Sequence, residues 1–157
     1  MQTISDMQRD SIYKNYIKYL IIFFILVVYE SITSIYPYLS PLFGVAFFYI
    51  LDNLYNKDRF FAVILSFVYI LIFEVDKGFI PLSSMIFFLI YYFFIYDAIE
   101  HIFSEKNVKK FFHVFTIYIG YYILNVILEY LFNYHISGFS LKYFLYIVTD
   151  FLILVAI

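Results

Sequence analysis

Four carboxylic acids interrupt otherwise apolar stretches of this 157-residue sequence. They are Glu30, Glu74, Glu129 and Asp150. An acid at the centre of a membrane costs about 2.5–3.5 kcal/mol on insertion scales, so each should face the protein interior or an interface. Hydrogen bonding between helices is the favoured interpretation. A functional contact, or a side chain that reaches out to water, is the alternative.

A regular polar pattern surrounds one of these acids. Asn125, Glu129 and Asn133 are spaced by four residues, and Tyr122 precedes them by about one turn. This spacing predicts a polar stripe on one face of a helix. Such a stripe lines a cavity or holds a neighbouring helix, and we favour the second because most intramembrane polar residues join helices.

Motifs that would indicate an enzyme are missing from the sequence. Asp97 and His101 have the spacing of a helical metal-binding pair, with Glu100 between them, but no third ligand is nearby. A solvated helical extension is therefore favoured there. The sequence contains no cysteine, no H-E-x-x-H, no phosphate-binding glycine loop and no G-x-S-x-G. We predict a non-enzymatic protein with no catalytic residues, metal site or cofactor.

The composition indicates a protein that crosses a membrane several times. Hydrophobic residues make up 65% of the chain, charged residues 14%, and the mean hydropathy is +0.89. A soluble domain of this length needs more polar surface than that. The 19 tyrosines, in the absence of tryptophan, are expected to form the belts at the membrane surfaces. The net charge of −2 gives no indication of nucleic-acid binding.

Apolar runs and turn residues predict an all-α, six-helix transmembrane bundle that forms a single domain over residues 1–157. The predicted spans are residues 18–36, 41–55, 59–75, 81–99, 110–132 and 141–157. The first lacks a small-residue cleavage site and is expected to be retained. The second should begin with Ser40 as N-cap and Pro41 in the first turn. At about 22 Å it is short for a bilayer, so segments two and three could instead dip in without crossing.

The basic residues predict the orientation. Eight of the ten fall before segment one or in alternate loops, which places them on one side of the membrane, and Lys77 and Lys142 fall on the other. The eight are Arg9, Lys14, Lys18, Lys57, Arg59, Lys106, Lys109 and Lys110. By the positive-inside rule both termini are cytoplasmic, which agrees with an even number of crossings.

The charged turn between segments three and four is the predicted contact site for a partner. Residues 74–80 should form a tight outer turn in which Gly78 supplies backbone freedom. Pro81 should then start the next helix. The charges either anchor this turn or also contact a partner protein. The candidates for partner contact are Glu74, Asp76, Lys77, Gly78 and Pro81.

Residues 36–100 resemble the MreD family of bacterial rod shape-determining membrane proteins. The similarity consists of a short second span that begins with proline, a small basic inner loop, and a third span that ends at an acid before Gly-x-x-Pro-Leu-Ser. The matching residues are Asp76, Gly78, Pro81, Leu82 and Ser83. The sequence departs from the family in the third span, where glycines are usual and this chain has Ala62, Ser66 and Val68.

The resemblance implies a scaffold of the bacterial inner membrane rather than an enzyme. Members of this family act in cell elongation and peptidoglycan synthesis, where they dock the single-span protein MreC and other members of the elongation complex. The implied partners are therefore an MreC-like protein, the elongation complex and the lipid bilayer, with no nucleic acid and no small-molecule ligand.

The alternative is a substrate-binding membrane subunit of a vitamin transporter, like the S components of energy-coupling-factor systems. That interpretation predicts an outward-facing pocket. Its lining would be Glu30, Glu74, Asn125 and Glu129.

Overall fold

The computed structural model describes residues 4–133 and 142–156, with side chains from residue 14 onward in those ranges. Regular structure there is helical throughout, and these ranges contain no strand. The prediction of an all-α fold is confirmed. The ends of the sixth predicted segment, residues 141 and 157, lie outside the described residues.

Within residues 4–133 and 142–156, seven α-helices form six continuous helical rods. Their bounds are α1 Ile4–Ile35, α2 Phe43–Asn53, α3 Phe60–Lys77, α4 Ser83–Ile90, α5 Asp97–Ile102, α6 Lys106–Phe132 and α7 Lys142–Ala156. A 3-10 turn, Lys57–Arg59, precedes α3, and a π-helical stretch, Tyr91–Tyr96, joins α4 to α5 into one rod. The six rods occupy the positions of the six predicted apolar segments.

Three of the rods have the length and composition of membrane spans. They are Lys14–Ile35 within α1, Ser83–Ile102 and Lys106–Phe132. The 11 residues of α2 extend only about 16 Å, far less than a bilayer of ~30 Å.

Two helices start later than the sequence predicts. Ser40 does not cap α2 and Pro41 does not lie in its first turn, because the helix begins at Phe43 after a left-handed Leu42 with φ 54°. Likewise α4 begins two residues after Pro81, following Leu82 with φ 69°. In both places the proline is followed by a left-handed leucine that turns the chain into the helix, so the predicted proline start is wrong.

The loop predicted between segments four and five is also shorter than expected. The fourth rod continues to Ile102 and α6 begins at Lys106, whereas the prediction ended one helix at Ile99 and began the next at Lys110. Lysine and glutamate favour helices, so the charged residues here extend both helices. By contrast, the predicted turn at Gly78 is confirmed, since this residue ends α3 with φ 71°.

The short helix α2 lies at the centre of the bundle. It packs against α3, α6 and α7, while α6 also packs on α4. Aromatic rings fill the interior, for example Phe43 against Phe73 and Tyr121 at centroid distances of 4.8 Å each. The long helix α1 lies at the edge and packs on α3.

Candidate functional site

Asp150 of α7 is fully buried and holds the beginning of α2. Its Oδ1 accepts a hydrogen bond from the Ser40 hydroxyl. Its Oδ2 accepts from the backbone N–H groups of Gly44 at 2.8 Å and Val45 at 3.3 Å. The Tyr118 hydroxyl donates to the same oxygen at 2.8 Å. Four donors from three parts of the chain thus converge on one carboxylate.

This contact replaces a local N-cap. The first N–H groups of a helix have no partner within the helix, and its N-terminus carries partial positive charge, so a carboxylate there is stabilising. Gly44 makes the approach possible. A Cβ at this position would lie 2.9 Å from Oδ2 of Asp150 and 2.9 Å from a ring carbon of Tyr118. No larger residue fits without displacing the acid.

Glu74 of α3 holds the beginning of α4 in the same way. Its Oε2 accepts from the Leu82 N–H at 2.8 Å, and its Oε1 accepts from the Ser84 N–H at 2.5 Å. The hydroxyls of Ser83 and Tyr121 donate to Oε1 at 2.8 and 3.0 Å. Glu74 is completely buried.

The two acid sites form a structural pair. Pro41-Leu42 and Pro81-Leu82 are 40 residues apart, both leucines are left-handed, and a buried acid from another helix accepts from two N–H groups at each helix start. These N–H groups belong to Gly44 and Val45 at the first site and to Leu82 and Ser84 at the second. Each acid accepts from four donors, three at one oxygen and one at the other. Both acids are therefore stabilised without a cation and act as fixed structural groups.

The third buried acid, Glu30 of α1, is held by an ion pair. Nζ of Lys77 lies 3.3 Å from its Oε1, and the Tyr69 hydroxyl donates to its Oε2 at 2.9 Å. Lys77 also contacts Asp76 at 3.2 Å and donates to the Thr33 hydroxyl at 2.9 Å. These contacts join the C-terminal part of α1 to the end of α3.

The polar stripe predicted on α6 is only partly present. Asn125 is buried and its Nδ2 donates to the Tyr121 carbonyl at 2.9 Å, next to the Glu74 site. Glu129 is half-buried, and Asn133 is exposed in a left-handed conformation that ends the helix. One turn before Asn125 the buried side chain is Tyr121, whereas Tyr122 is half-buried.

The predicted partner-contact residues separate into two groups. Glu74 is buried beneath α4, and Lys77 is half-buried in its ion pairs with α1 and Asp76. Asp76, Gly78 and Pro81 are exposed at the turn. Partner contact by this turn stays a prediction.

Sequence reasoning missed the hydroxyl groups that complete these sites. Tyrosines were assigned to belts at the membrane surface, yet several are buried hydrogen-bond donors to acids. The missed residues are Ser40, Tyr69, Ser83, Tyr118 and Tyr121. The spacing of Tyr118 and Tyr121 by three residues on one helical face was the available signal.

A separate, partly buried chain of polar groups lies near the other end of α6. Nδ1 of His113 lies 2.7 Å from the Tyr91 hydroxyl, and Nε2 lies 3.2 Å from Oε1 of Glu100. Lys109 donates to the other oxygen of Glu100 at 2.5 Å. Asp97 and His101, where a solvated helical extension was favoured over a metal-binding pair, are exposed and do not join these groups. The described residues contain no cluster of three metal-ligating groups.

A groove with a volume of about 400 Å³ lies between α1, α2 and α3. Its walls are mostly apolar, with basic and tyrosine side chains toward one end and Tyr69 at the other. None of the four acidic and amide residues predicted to line a vitamin pocket borders it. Residues from all three helices line it, among them Lys18, Leu26, Tyr49, Arg59, Ala62 and Tyr69.

Comparison with known proteins gives no match to a family model, a curated protein or a solved structure. The function is therefore inferred from the chain's own residues. Its buried acids hold helix ends in place, and its accessible features include the exposed side of α1 and the groove.

Proposed function

We propose that this protein is a non-enzymatic membrane scaffold that docks the single transmembrane helix of a partner protein against α1. The observation that carries the proposal is the exposure of α1, since only 11% of its apolar span is buried in the bundle. The side chains on this free surface include Leu20, Ile21, Phe24, Ile25 and Val28.

The attachment of α1 supports this role. It packs on α3 along one side and is fixed at its outer end by Glu30 and Lys77. A helix held on one side offers the remaining surface to a second helix, and such surfaces associate in lipid by close packing. A rigid but accessible α1 suits docking better than catalysis.

We further propose six crossings with both termini in the cytoplasm. The support is the distribution of basic residues and the position of α2. Its first turn contacts Asp150, which lies eight residues, or about 12 Å, from the first residue of α7. Residues 40–42 come directly before α2, and Ser40 and Pro41 are buried. They would therefore extend the crossing beyond the start of this short helix, at a place where the Tyr29 hydroxyl donates to the Ser40 carbonyl at 2.9 Å.

The similarity of residues 36–100 to the MreD family suggests the biological setting. We propose that the partner is an MreC-like single-span protein and that the assembly belongs to the cell-elongation machinery of a bacterial inner membrane. In that setting the exposed turn residues Asp76, Gly78 and Pro81 would face the part of the partner outside the cytoplasm.

Site-specific photocrosslinking tests the docking surface. A photoreactive phenylalanine analogue at Phe24 should give one discrete adduct with a single-span membrane protein. The matched control is Phe93, because both side chains are 69% exposed but Phe93 lies on the fourth rod. Equal adducts at both positions, or adducts with lipid alone, would contradict docking on α1.

The cellular setting has its own test. Depletion of the protein from a rod-shaped bacterium that encodes it should round the cells, because a scaffold of elongation sets the cell width. Continued growth as rods of constant width would reject the elongation role while leaving the crosslinking result intact.

A further inference from the structure

We propose that the groove between α1, α2 and α3 binds one anionic glycerophospholipid of the cytoplasmic leaflet. Its phosphate lies at Lys18 and Arg59, and one acyl chain follows the apolar wall toward Tyr69. This inference rests on the proposed membrane orientation but not on the docking of a partner to α1.

The packing of the three helices creates the groove. Both α1 and α2 pack on α3, whereas α1 makes hardly any contact with α2. The gap between them has a floor formed by α3, where Ala62 and Ser66 are small. Because α1 is an edge helix, such a gap lies at the lipid-facing side of the bundle. A membrane lipid can therefore enter it sideways.

The length of the groove matches one leaflet. From Lys18 to Leu26 on α1 the axial rise is about 12 Å, and from Arg59 to Tyr69 on α3 it is about 15 Å. Half of a bilayer core is also about 15 Å. An acyl chain whose head lies at the basic end would thus reach the level of Tyr69.

The charges at one end of the groove define the head group. Lys18 and Arg59 both line the cavity, and among the described lining residues none is acidic. Arg59 donates to Oδ1 of Asn53 at 2.8 Å, which fixes the guanidinium at the end of α2 while other N–H groups stay available. Basic pockets between helices on the cytoplasmic side bind anionic lipid head groups in this manner.

The charges at the basic end disfavour an apolar partner helix as occupant, because it would leave Lys18 and Arg59 without an anionic partner. A soluble anion would use only the basic end and leave the apolar wall unfilled. A chain with an anionic head uses both parts.

Native mass spectrometry of the intact protein tests the proposal. The protein is reconstituted in nanodiscs of phosphatidylcholine with 10% phosphatidylglycerol, on the order of a cellular anionic fraction, and released in the spectrometer. One phosphatidylglycerol should remain bound in preference to phosphatidylcholine. The double variant Lys18→Gln/Arg59→Gln should lower this retention at least tenfold.

A charge-matched control and a filling variant complete the experiment. Lys14→Gln/Lys57→Gln removes two neighbouring basic residues that do not line the groove, and retention should change less than twofold. Ser66→Phe should block the chain while both basic groups remain. Equal retention of the two lipids, or equal loss in the control double variant, would overturn the proposal.

The result is separable from the proposed docking. A retained Phe24 crosslink together with absent lipid selectivity would reject the lipid site alone. Lipid selectivity without a partner adduct would reject the docking alone. A peptide or a prenyl phosphate that remains bound instead of phosphatidylglycerol would also reject the assigned occupant.

Discussion

Inside the protein, Asp150 and Glu74 each accept hydrogen bonds from four protein donors in place of water. Burial of an acid is costly unless its hydrogen-bonding positions are filled. Two of the donors at each acid are N–H groups that a helix start would otherwise leave without a partner. Each acid thus obtains donors for its own oxygens and supplies an acceptor to the first N–H groups of a helix. This explains how an apolar bundle retains these charges.

Replacement of Asp150 by asparagine should destabilise the protein. If the amide oxygen takes the place of Oδ2, it still accepts from Gly44, Val45 and Tyr118. The amide N–H groups then face the Ser40 hydroxyl, which loses its acceptor. At about 1–3 kcal/mol for one unpaired buried group, the free energy of unfolding should fall by about 1–3 kcal/mol. Thermal unfolding in detergent, followed by circular dichroism, measures the change.

Thr149 supplies the control for this substitution. Its hydroxyl donates to carbonyls of its own helix, at 2.9 Å for Leu145. Thr149→Val should therefore change the free energy of unfolding by less than about 1 kcal/mol. If Asp150→Asn were no worse than Thr149→Val, the capping role of Asp150 would be wrong.

Residue types predicted the burial of most of the acids but not what they contact. All four acids were expected to face the interior or an interface because exposed charge in lipid is costly. Glu30, Glu74 and Asp150 are buried, whereas Glu129 is half-buried. Tyr118 could not be matched to Asp150, because their 32-residue separation depends on how α6 and α7 pack. Tyrosine also suits both a membrane surface and a buried donor position, so its type alone was ambiguous.

At the scale of elements, the left-handed leucines show where helix starts are strained. This conformation costs a non-glycine residue about 1–2 kcal/mol. Leu82 is 52% exposed, so its side chain contributes little packing to offset that cost. The strain is maintained by the hydrogen bonds between Glu74 and the first turn of α4.

Glycine substitutions at two equally exposed leucines should have opposite effects. Leu82→Gly removes the strain and should raise the free energy of unfolding by up to about 1 kcal/mol. Leu89 is 56% exposed inside α4, and Leu89→Gly should lower it by about 1 kcal/mol. Chemical unfolding of both variants in the same detergent gives the comparison. Equal losses would show that Leu82 is not strained.

The contact between α1 and α3 should depend on Lys77. Lys77→Met leaves the buried Glu30 without its cation. Because the Lys77 side chain is 22% exposed, the free energy of unfolding should fall by about 2–3 kcal/mol, at or below the range for breaking a fully buried ion pair. The double variant Glu30→Gln/Lys77→Met should recover at least half of the loss. Protease cleavage near the end of α1 reports on its detachment. Additive losses would exclude a direct interaction.

Hydropathy located the helices better than it located their ends. All six apolar segments became rods because burial of apolar side chains sets their positions. The start of α2 was misplaced because its cap, Asp150, is 106 residues away from Gly44. Rules for N-caps consider only neighbouring residues, and by these rules Ser40 is a suitable cap for α2. In the structure its hydroxyl donates to Asp150 and does not cap the helix.

For the whole molecule, the absence of cysteine makes the proposed topology directly measurable. Tyr38 is exposed between α1 and α2, and Asp58 is exposed between α2 and α3. In spheroplasts, Tyr38→Cys should react with a membrane-impermeant maleimide, whereas Asp58→Cys should react only after lysis. The unsubstituted chain is the blank. Labelling of both positions, or of Asp58→Cys alone, would contradict six crossings with cytoplasmic termini.

The two capped helix starts differ in when they can be completed on the ribosome. Glu74 precedes its N–H donors by 8 and 10 residues, so α4 can be capped as soon as it emerges. Gly44 must wait until Asp150, 106 residues later, has been synthesised. At about 5–20 residues per second, that interval is roughly 5–20 s. Throughout it, water or the insertion machinery has to shield the first turn of α2, so the arrival of α7 is the step that completes this cap.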